Sequence, residues 1–124
     1  MPATIPADVD RLFAEALSSG HLDAAVDCYE TDACYVSADG QAACGHEQIR
    51  AALAELIAHN PTLDCYEIDV VENGDLAVLR ARWRYTGTDA SGVAFEHRGR
   101  SIEVVRQQAD GTWKFTIDLP SGAS

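Results

Sequence analysis

Apolar residues recur at helical spacing as far as Pro61, and beyond it the chain breaks into four β-rich segments that each end at a turn signal. Val9, Leu12, Phe13, Ala16 and Leu17 make one stripe, which predicts a helix from just after Pro6 to Gly20. Leu22, Ala25, Val26 and Tyr29 predict a second helix over Leu22 to about Tyr29, followed by a short strand from Ala33 to Ser37 and a turn at Asp39-Gly40. Ile49, Leu53, Leu56 and Ile57 predict a third helix from about His46 to His59, stopped by Asn60-Pro61. Strands are expected near Leu63 to Glu72, Leu76 to Gly87, Val93 to Gln107 and Thr112 to Leu119, with turns at Asn73-Gly74, Ser91-Gly92 and Asp110-Gly111. Ser121 to Ser124 reads as a frayed tail.

This order of parts predicts an α+β fold: one domain over residues 1–124, in which N-terminal helices pack on a long, strongly curved antiparallel sheet and enclose a pocket. A chain of 124 residues is long enough for one such core. A net charge of -11 argues against duplex nucleic acid and against an anionic membrane surface as partners. The longest apolar helical stretch, Ala51 to Ala58, is far short of the roughly 20 residues that span a bilayer, and the start Met1-Pro2-Ala3-Thr4 has no basic segment. The expected location is the cytoplasm. Cys28, Cys34, Cys44 and Cys65 form no C-x-x-C pair, so they read as buried free thiols rather than as a zinc site or disulfides. With no glycine-rich phosphate loop either, neither a metal nor a nucleotide cofactor is expected.

The stretch from Gly20 through His21-Leu-Asp-Ala-Ala-Val-Asp-Cys-Tyr-Glu-Thr-Asp-Ala-Cys-Tyr to Val36, followed by Gly45-His-Glu-Gln-Ile-Arg, resembles the signature of NTF2-like proteins, closest in pattern to the SnoaL-like and ketosteroid-isomerase-like branches. The ending Asp110-Gly-Thr-Trp-Lys-Phe-Thr-Ile-Asp-Leu-Pro-Ser-Gly resembles the last strand of the DUF4440 group and of the association domain of calmodulin-dependent kinases. The resemblance implies a cystatin/NTF2-like cone. Its isomerase branch places an oxyanion-donating tyrosine at Phe13, a proton-shuttling aspartate at Ser37 and a second acidic donor at Glu103. Only Glu103 keeps the required group, so steroid isomerisation by the family mechanism is not expected. The pocket arginine of the association domains falls on Trp83.

If the turn at Thr88 to Gly92 is symmetric, Trp83 faces His97, Tyr85 faces Phe95 and Ala81 faces Gly99 on the pocket side of the sheet. Arg80, Arg82, Arg84, Arg98 and Arg100 then lie on the other side, with Arg84 opposite Glu96. A two-residue turn at Asp110-Gly111 sets Glu103 opposite Asp118, so that both acids share the pocket with His97, Ser101, Trp83 and Tyr85. A loop one residue different turns Trp113, Phe115 and Ile117 inward and Asp118 out. The first register agrees with the family alignment, and it leaves Ile102, Val104, Trp113, Phe115 and Ile117 as an outer apolar patch suited to a homodimer.

The candidate catalytic residues are therefore Glu103, Asp118 and His97, with Trp83, Tyr85, Tyr35, Tyr29, Phe13, Ser37 and Ser101 as candidate ligand contacts. By default these aromatics are core residues that shape the cavity, His97 is a hydrogen-bonded pocket histidine, and His21, His46 and His59 are surface residues at helix ends. Two functions fit. One is acid–base chemistry on a small apolar or polycyclic molecule, such as isomerisation, elimination or hydrolysis. The other is a noncatalytic dimer that carries a ligand or serves assembly.

Overall fold

Three helices and a single six-stranded sheet make up the computed structural model, which describes residues 2–122. Pro6 opens α1 (Ala7–Ser18), and Gly20 closes it at φ 72°, where only a residue without Cβ is at ease. The amide of Gly20 donates to Leu17 O and that of His21 to Ala16 O, so the last turn's carbonyls are satisfied. Val9, Phe13, Ala16 and Leu17 form the buried stripe, and one acid, Asp10, is buried with them.

Helix α2 (Leu22–Val26) is shorter than its apolar spacing predicts, because Tyr29 belongs to the next strand. That strand, β1 (Tyr29–Val36), runs parallel to the last strand of the chain, with Tyr29 beside Phe115. The Asp39-Gly40 turn leads into β2 (Ala42–Cys44), a strand too short for its sequence to announce. Helix α3 (His46–Ile57) buries Ile49 and Leu53, and Asn60, in the left-handed region at φ 51°, ends it before Pro61. Strands β3 (Thr62–Asn73), β4 (Leu76–Thr88), β5 (Ala94–Gln107) and β6 (Trp113–Leu119) follow within a residue or two of their expected bounds. The sheet order is β2-β1-β6-β5-β4-β3.

Three expectations of pairing change. The β4–β5 partners lie two residues further along than a Thr88–Gly92 turn would set, so Trp83 faces Gly99, Tyr85 faces His97 and Arg84 faces Arg98. Asp89 is the cause: its Oδ1 accepts the amides of Ser91 (2.9 Å) and Val93 (3.0 Å), so the loop closes between Asp89 and Val93. An even shift leaves every side chain on its expected face. The last hairpin realises both registers at once: Glu103 faces Asp118 and Val104 faces Ile117, but Val105 faces Phe115 and Gln107 faces Trp113. One extra residue, Thr116, bulges between them, so Trp113 and Phe115 join the core while Ile117 and Asp118 keep the predicted sides. The outer patch therefore loses both aromatics. A second bulge, with Glu67 at φ 54°, bends β3.

Cys34 and Cys44, expected to be free, face each other across β1 and β2 with their Cα atoms 4.2 Å apart and are joined as a disulfide. Each lies five residues from Asp39, the centre of the turn, which makes them cross-strand partners. Cys28 and Cys65 are free and half-buried. Of the expected frayed tail, Ala123 and Ser124 lie outside the described residues, while Gly122 donates to Leu119 O and so continues the ordered chain.

Among the described residues, no helix is long and apolar enough to cross a membrane. Closing a loop of this length removes chain entropy worth roughly 2–3 kcal/mol from the unfolded state. Cys44→Ser is therefore expected to lower the unfolding free energy by about that amount in urea titrations without reductant. Adding dithiothreitol should move the wild-type curve toward the variant and leave the variant unchanged.

Candidate functional site

The concave face of the sheet and helices α1 and α3 enclose a cavity of about 580 Å³. Strand alternation decides what faces it. On β5, His97, Gly99, Ser101 and Glu103 project inward; on β4, Trp83 and Tyr85 do so, and on β6, Phe115 and Asp118. Gly99 is required here, since a Cβ on it would stand 2.5 Å from Cζ2 of the Trp83 indole. The indole is held by its Nε1–H, which donates to Pro120 O at 2.6 Å.

The two ends of the cavity differ in chemistry. His97 and Glu103 are six residues apart on β5, about 20 Å along a strand. Near His97 stands an aromatic group: Tyr85 stacks on Phe95 with ring centroids 5.7 Å apart, His59 meets Phe95 edge-on at 5.3 Å, and Phe95 lies 5.1 Å from His97. The Tyr85 hydroxyl donates to Leu56 O at 2.7 Å, because a carbonyl can only accept. Its oxygen then accepts from His59 Nδ1 at 3.1 Å, which fixes a proton on that nitrogen and leaves Nε2 without a part in this bond. His59, expected at the surface, thus lines the cavity. Its carbonyl accepts the Thr88 amide, and a Cβ on Gly87 would stand 2.8 Å from that oxygen, so the end of α3 is clamped to β4.

At the other end three carboxyl groups converge from three elements: Asp10 from α1, Glu103 from β5 and Asp118 from β6, each no more than 5% exposed. Asp118 Oδ2 accepts the Tyr29 hydroxyl at 2.5 Å. Burial pushes the Asp118 carboxyl up to about 7; the Tyr29 bond opposes this, and the charge of Asp10 adds to it. Burial also raises Glu103 far above the carboxylate range, helped by Asp10 beside it and by the charge of Asp118, while Ser101 opposes the shift. Asp10 is raised by burial as well, against the lowering effect of its contact with Glu103. Two acids that share a dry site do not both ionise, and Glu103 is the proton holder. Glu103 and Asp10 share a hydrogen bond, and beyond that pair Asp10 Oδ2 and Glu103 Oε1 have no hydrogen-bond partner.

Most of the residues predicted from sequence come together here: Glu103, Asp118, His97, Trp83, Tyr85, Tyr35, Phe13 and Ser101 all line the cavity. Tyr29 does not. It is fully buried behind Asp118, in edge-on contact with Phe13 and 4.9 Å from Phe115 between ring centroids. Ser37 is also outside, because its hydroxyl turns to Asp39 in the β1–β2 turn. His46 is half-buried, with Nε2 2.8 Å from Tyr29 O. Asp10 was not predicted, although an acid at spacing i, i+3, i+7 with Phe13 and Leu17 is the signal that marks it. Among the described residues, no group of three or more His, Cys, Asp or Glu side chains is arranged to hold a metal ion.

The sequence profile of the SnoaL-like domain matches residues 9–116. The chain belongs to the SnoaL-like domain family. No protein of curated function matches this SnoaL-like chain. Solved structures similar to it include a protein from Novosphingobium aromaticivorans provisionally named an aromatic ring hydroxylase, at 26% identity and TM-score 0.81, covering 90% of this chain and 82% of that one. A ketosteroid isomerase-like protein from Erwinia carotovora atroseptica has 18% identity and TM-score 0.78 over 90% of this chain and 88% of its own. An NTF2-like protein with a cystatin-like fold, also from N. aromaticivorans, has 17% identity and TM-score 0.76 over 94% and 80%. The last two show the fold alone. They bear out the α+β cone and the NTF2-like resemblance.

The native state of this SnoaL-like domain holds a proton on Asp118 that the unfolded chain has lost above about pH 4. The stability tied to that proton is full below pH 4 and disappears as pH rises through about 7. Asp118→Asn, which keeps an acceptor for Tyr29, removes this loss. Thermal melts of both proteins from pH 4 to 8 are therefore expected to diverge steadily in favour of the variant, by about 1.4 kcal/mol per pH unit at most. Parallel curves would show that Asp118 titrates normally.

Proposed function

We propose that this SnoaL-like domain binds a flat, largely apolar small molecule in the cavity and exchanges a proton with it at the carboxyl end. The observation that carries the reading is Glu103: a buried, protonated carboxyl at the end of an aromatic-lined cavity, with no partner for its Oε1 beyond the neighbouring Asp10. Buried unpartnered polar atoms are costly, and a ligand group that hydrogen-bonds there removes the cost. A group that keeps its proton near neutrality and stands beside a second, more acidic carboxyl is equipped as a general acid, with Asp10 or Asp118 able to take a proton back. That chemistry suits isomerisation, elimination or hydrolysis. His97 and Nε2 of His59 offer a second polar contact at the far end. The name of the ring hydroxylase relative agrees with an aromatic ligand.

Isothermal titration with 2-naphthol, a two-ring probe that fits 580 Å³, tests the binding. One saturable site is expected, lost in Ser101→Phe, whose ring would fill the cavity between the two ends. Binding that survives this change unaltered would place the ligand elsewhere.

We also propose that the domain pairs with a second copy through the outer face of the sheet. Val71, Val78, Val104 and Ile117 are aligned across β3, β4, β5 and β6, and Val71 and Ile117 are 58% and 42% exposed. Beside this row Arg80, Arg82 and Arg84 alternate with Asp69, Glu67 and Glu96 in ion pairs of 2.9–3.9 Å. A face that carries both charges and an apolar row is complementary to itself under a two-fold axis. Light scattering at micromolar concentration is expected to give twice the chain mass for the wild type and a monomer for Val78→Glu. A wild-type monomer would overturn the pairing.

A further inference from the structure

The three buried acids have no cation of their own. None of the seven ion pairs among the described residues includes Asp10, Glu103 or Asp118. The charge of Arg11, next in sequence, reaches Asp10, but its guanidinium is committed to Asp8 at 2.7 Å. Two carboxyl oxygens in this group, Asp10 Oδ2 and Glu103 Oε1, have no partner beyond the hydrogen bond between these two acids, although their residues are only 3% and 2% exposed and line the cavity. Every other polar group facing them is an acid, a hydroxyl or a thiol: Ser101 on β5, Asp118 on β6 with the Tyr29 hydroxyl of β1 behind it, and Cys65 on β3. Cationic side chains border the cavity only as Arg98 and Arg100.

We infer that the carboxyl end of the cavity is a site for a basic nitrogen, so that the ligand is an aromatic amine or amidine bound as its cation, with the ring system against Trp83, Tyr85 and Phe95. The inference rests on the proposed function and narrows its ligand class. The chemistry follows from what the two oxygens lack outside their own pair. An ionised carboxylate offers only acceptors, and a protonated one offers a single donor, so an anionic ligand would meet repulsion and a neutral carbonyl could use one proton at most. An ammonium or amidinium group supplies several N–H donors to both oxygens and the charge that lets both carboxyls ionise. As the cation enters, Glu103 gives up its proton to solvent: the O–H bond breaks, the proton goes to the buffer, and the carboxylate pairs with the cation. Binding should therefore release up to one proton.

Three probes of one shape separate the possibilities: 1-naphthylmethylamine, a cation at pH 7; 1-naphthalenemethanol, neutral; and 1-naphthoate, an anion. Titration calorimetry of the full chain at pH 7, repeated in phosphate and in Tris, reads both affinity and proton release. The amine is expected to bind at least tenfold more tightly than the alcohol and to release between half and one proton, with the naphthoate weakest. In Asp10→Asn and Glu103→Gln the amine should fall to within threefold of the alcohol. Because the three-ligand comparison is made on the wild type, a variant that fails to fold does not decide the matter. Equal affinity of amine and alcohol, no proton release, or a preference for the naphthoate would overturn the cation site while leaving an aromatic pocket in place. Binding of none of the three would overturn the pocket reading itself, and the cation site with it.

Discussion

One unpaired residue, Thr116, lets the last strand serve the core and the cavity together. Phe115 and Asp118 are three residues apart, and in a regular strand an odd separation sends two side chains to opposite faces. The bulge brings both inward. Phe115 then closes an aromatic group with Phe13 and Tyr29, at centroid distances of 4.9–5.8 Å, and Asp118 lies where the Tyr29 hydroxyl can reach it. Either regular register would forfeit one of these. With Asp118 inward, Trp113 and Phe115 would face water, at about 1.5–3 kcal/mol for a side chain of this size. With the aromatics inward, Asp118 would leave and the buried Tyr29 hydroxyl would lack its acceptor, a loss of about 1–3 kcal/mol. The local ladder break at Thr116 is the smaller cost.

The same bulge explains why Tyr29 belongs to the site without touching the cavity. Its hydroxyl donates to Asp118, and its ring packs edge-on against Phe13 of α1. A carboxylate stripped of water needs such a donor to ionise at all near neutrality, and one donor holds Asp118 at about 7 rather than higher. The counterpart at Glu103 is Ser101, whose bond is outweighed by burial and by Asp10 and Asp118, so Glu103 keeps its proton. Two acids facing each other across neighbouring strands are thereby separated in acidity by what stands behind each, which is how a pair of like groups comes to have unlike roles.

Much of this was legible in the sequence, for reasons that can be named. Asp110-Gly111 marks the last hairpin, but its loop closes between Gln108 and Thr112, so the Glu103–Asp118 pairing expected from a two-residue turn arises instead from the bulge at Thr116; alternation along β4 and β5 separates the Trp83, Tyr85 and Ser101 face from the arginine face. That alternation is a local rule, and it survived a two-residue error in the β4–β5 loop because an even shift keeps the faces. What could not be read depends on contacts between distant segments. An acid in the first turn of a helix is ordinarily explained by the helix dipole, which masks the one local mark that Asp10 faces inward, its spacing with Phe13 and Leu17. His59 becomes a cavity residue through the clamp between its carbonyl and Thr88, twenty-nine residues away in sequence. Cys34 and Cys44 pair across a three-residue edge strand that carries no pattern of its own, and only their symmetry about Asp39 foreshadows the bridge.

The distribution of cations gives the sheet its two characters. Of nine Lys and Arg residues, Arg80, Arg82, Arg84, Arg98 and Arg100 stand on the outer side of β4 and β5, where Glu67, Asp69 and Glu96 balance four of them, and Arg11, Arg50 and Arg106 pair with acids outside the cavity. Exposed pairs of that kind contribute little to stability, about 0–1 kcal/mol each. Their larger effect is what they withhold: a chain of net charge -11 keeps its cations in water and leaves its three buried carboxyls with only hydroxyls and one another. Folding alone would favour replacing those acids with apolar groups of the same size, since an unpaired buried carboxyl works against the native state. Where a sequence keeps such groups at the end of a cavity large enough for a two-ring molecule, the missing partner is expected to come from outside the chain.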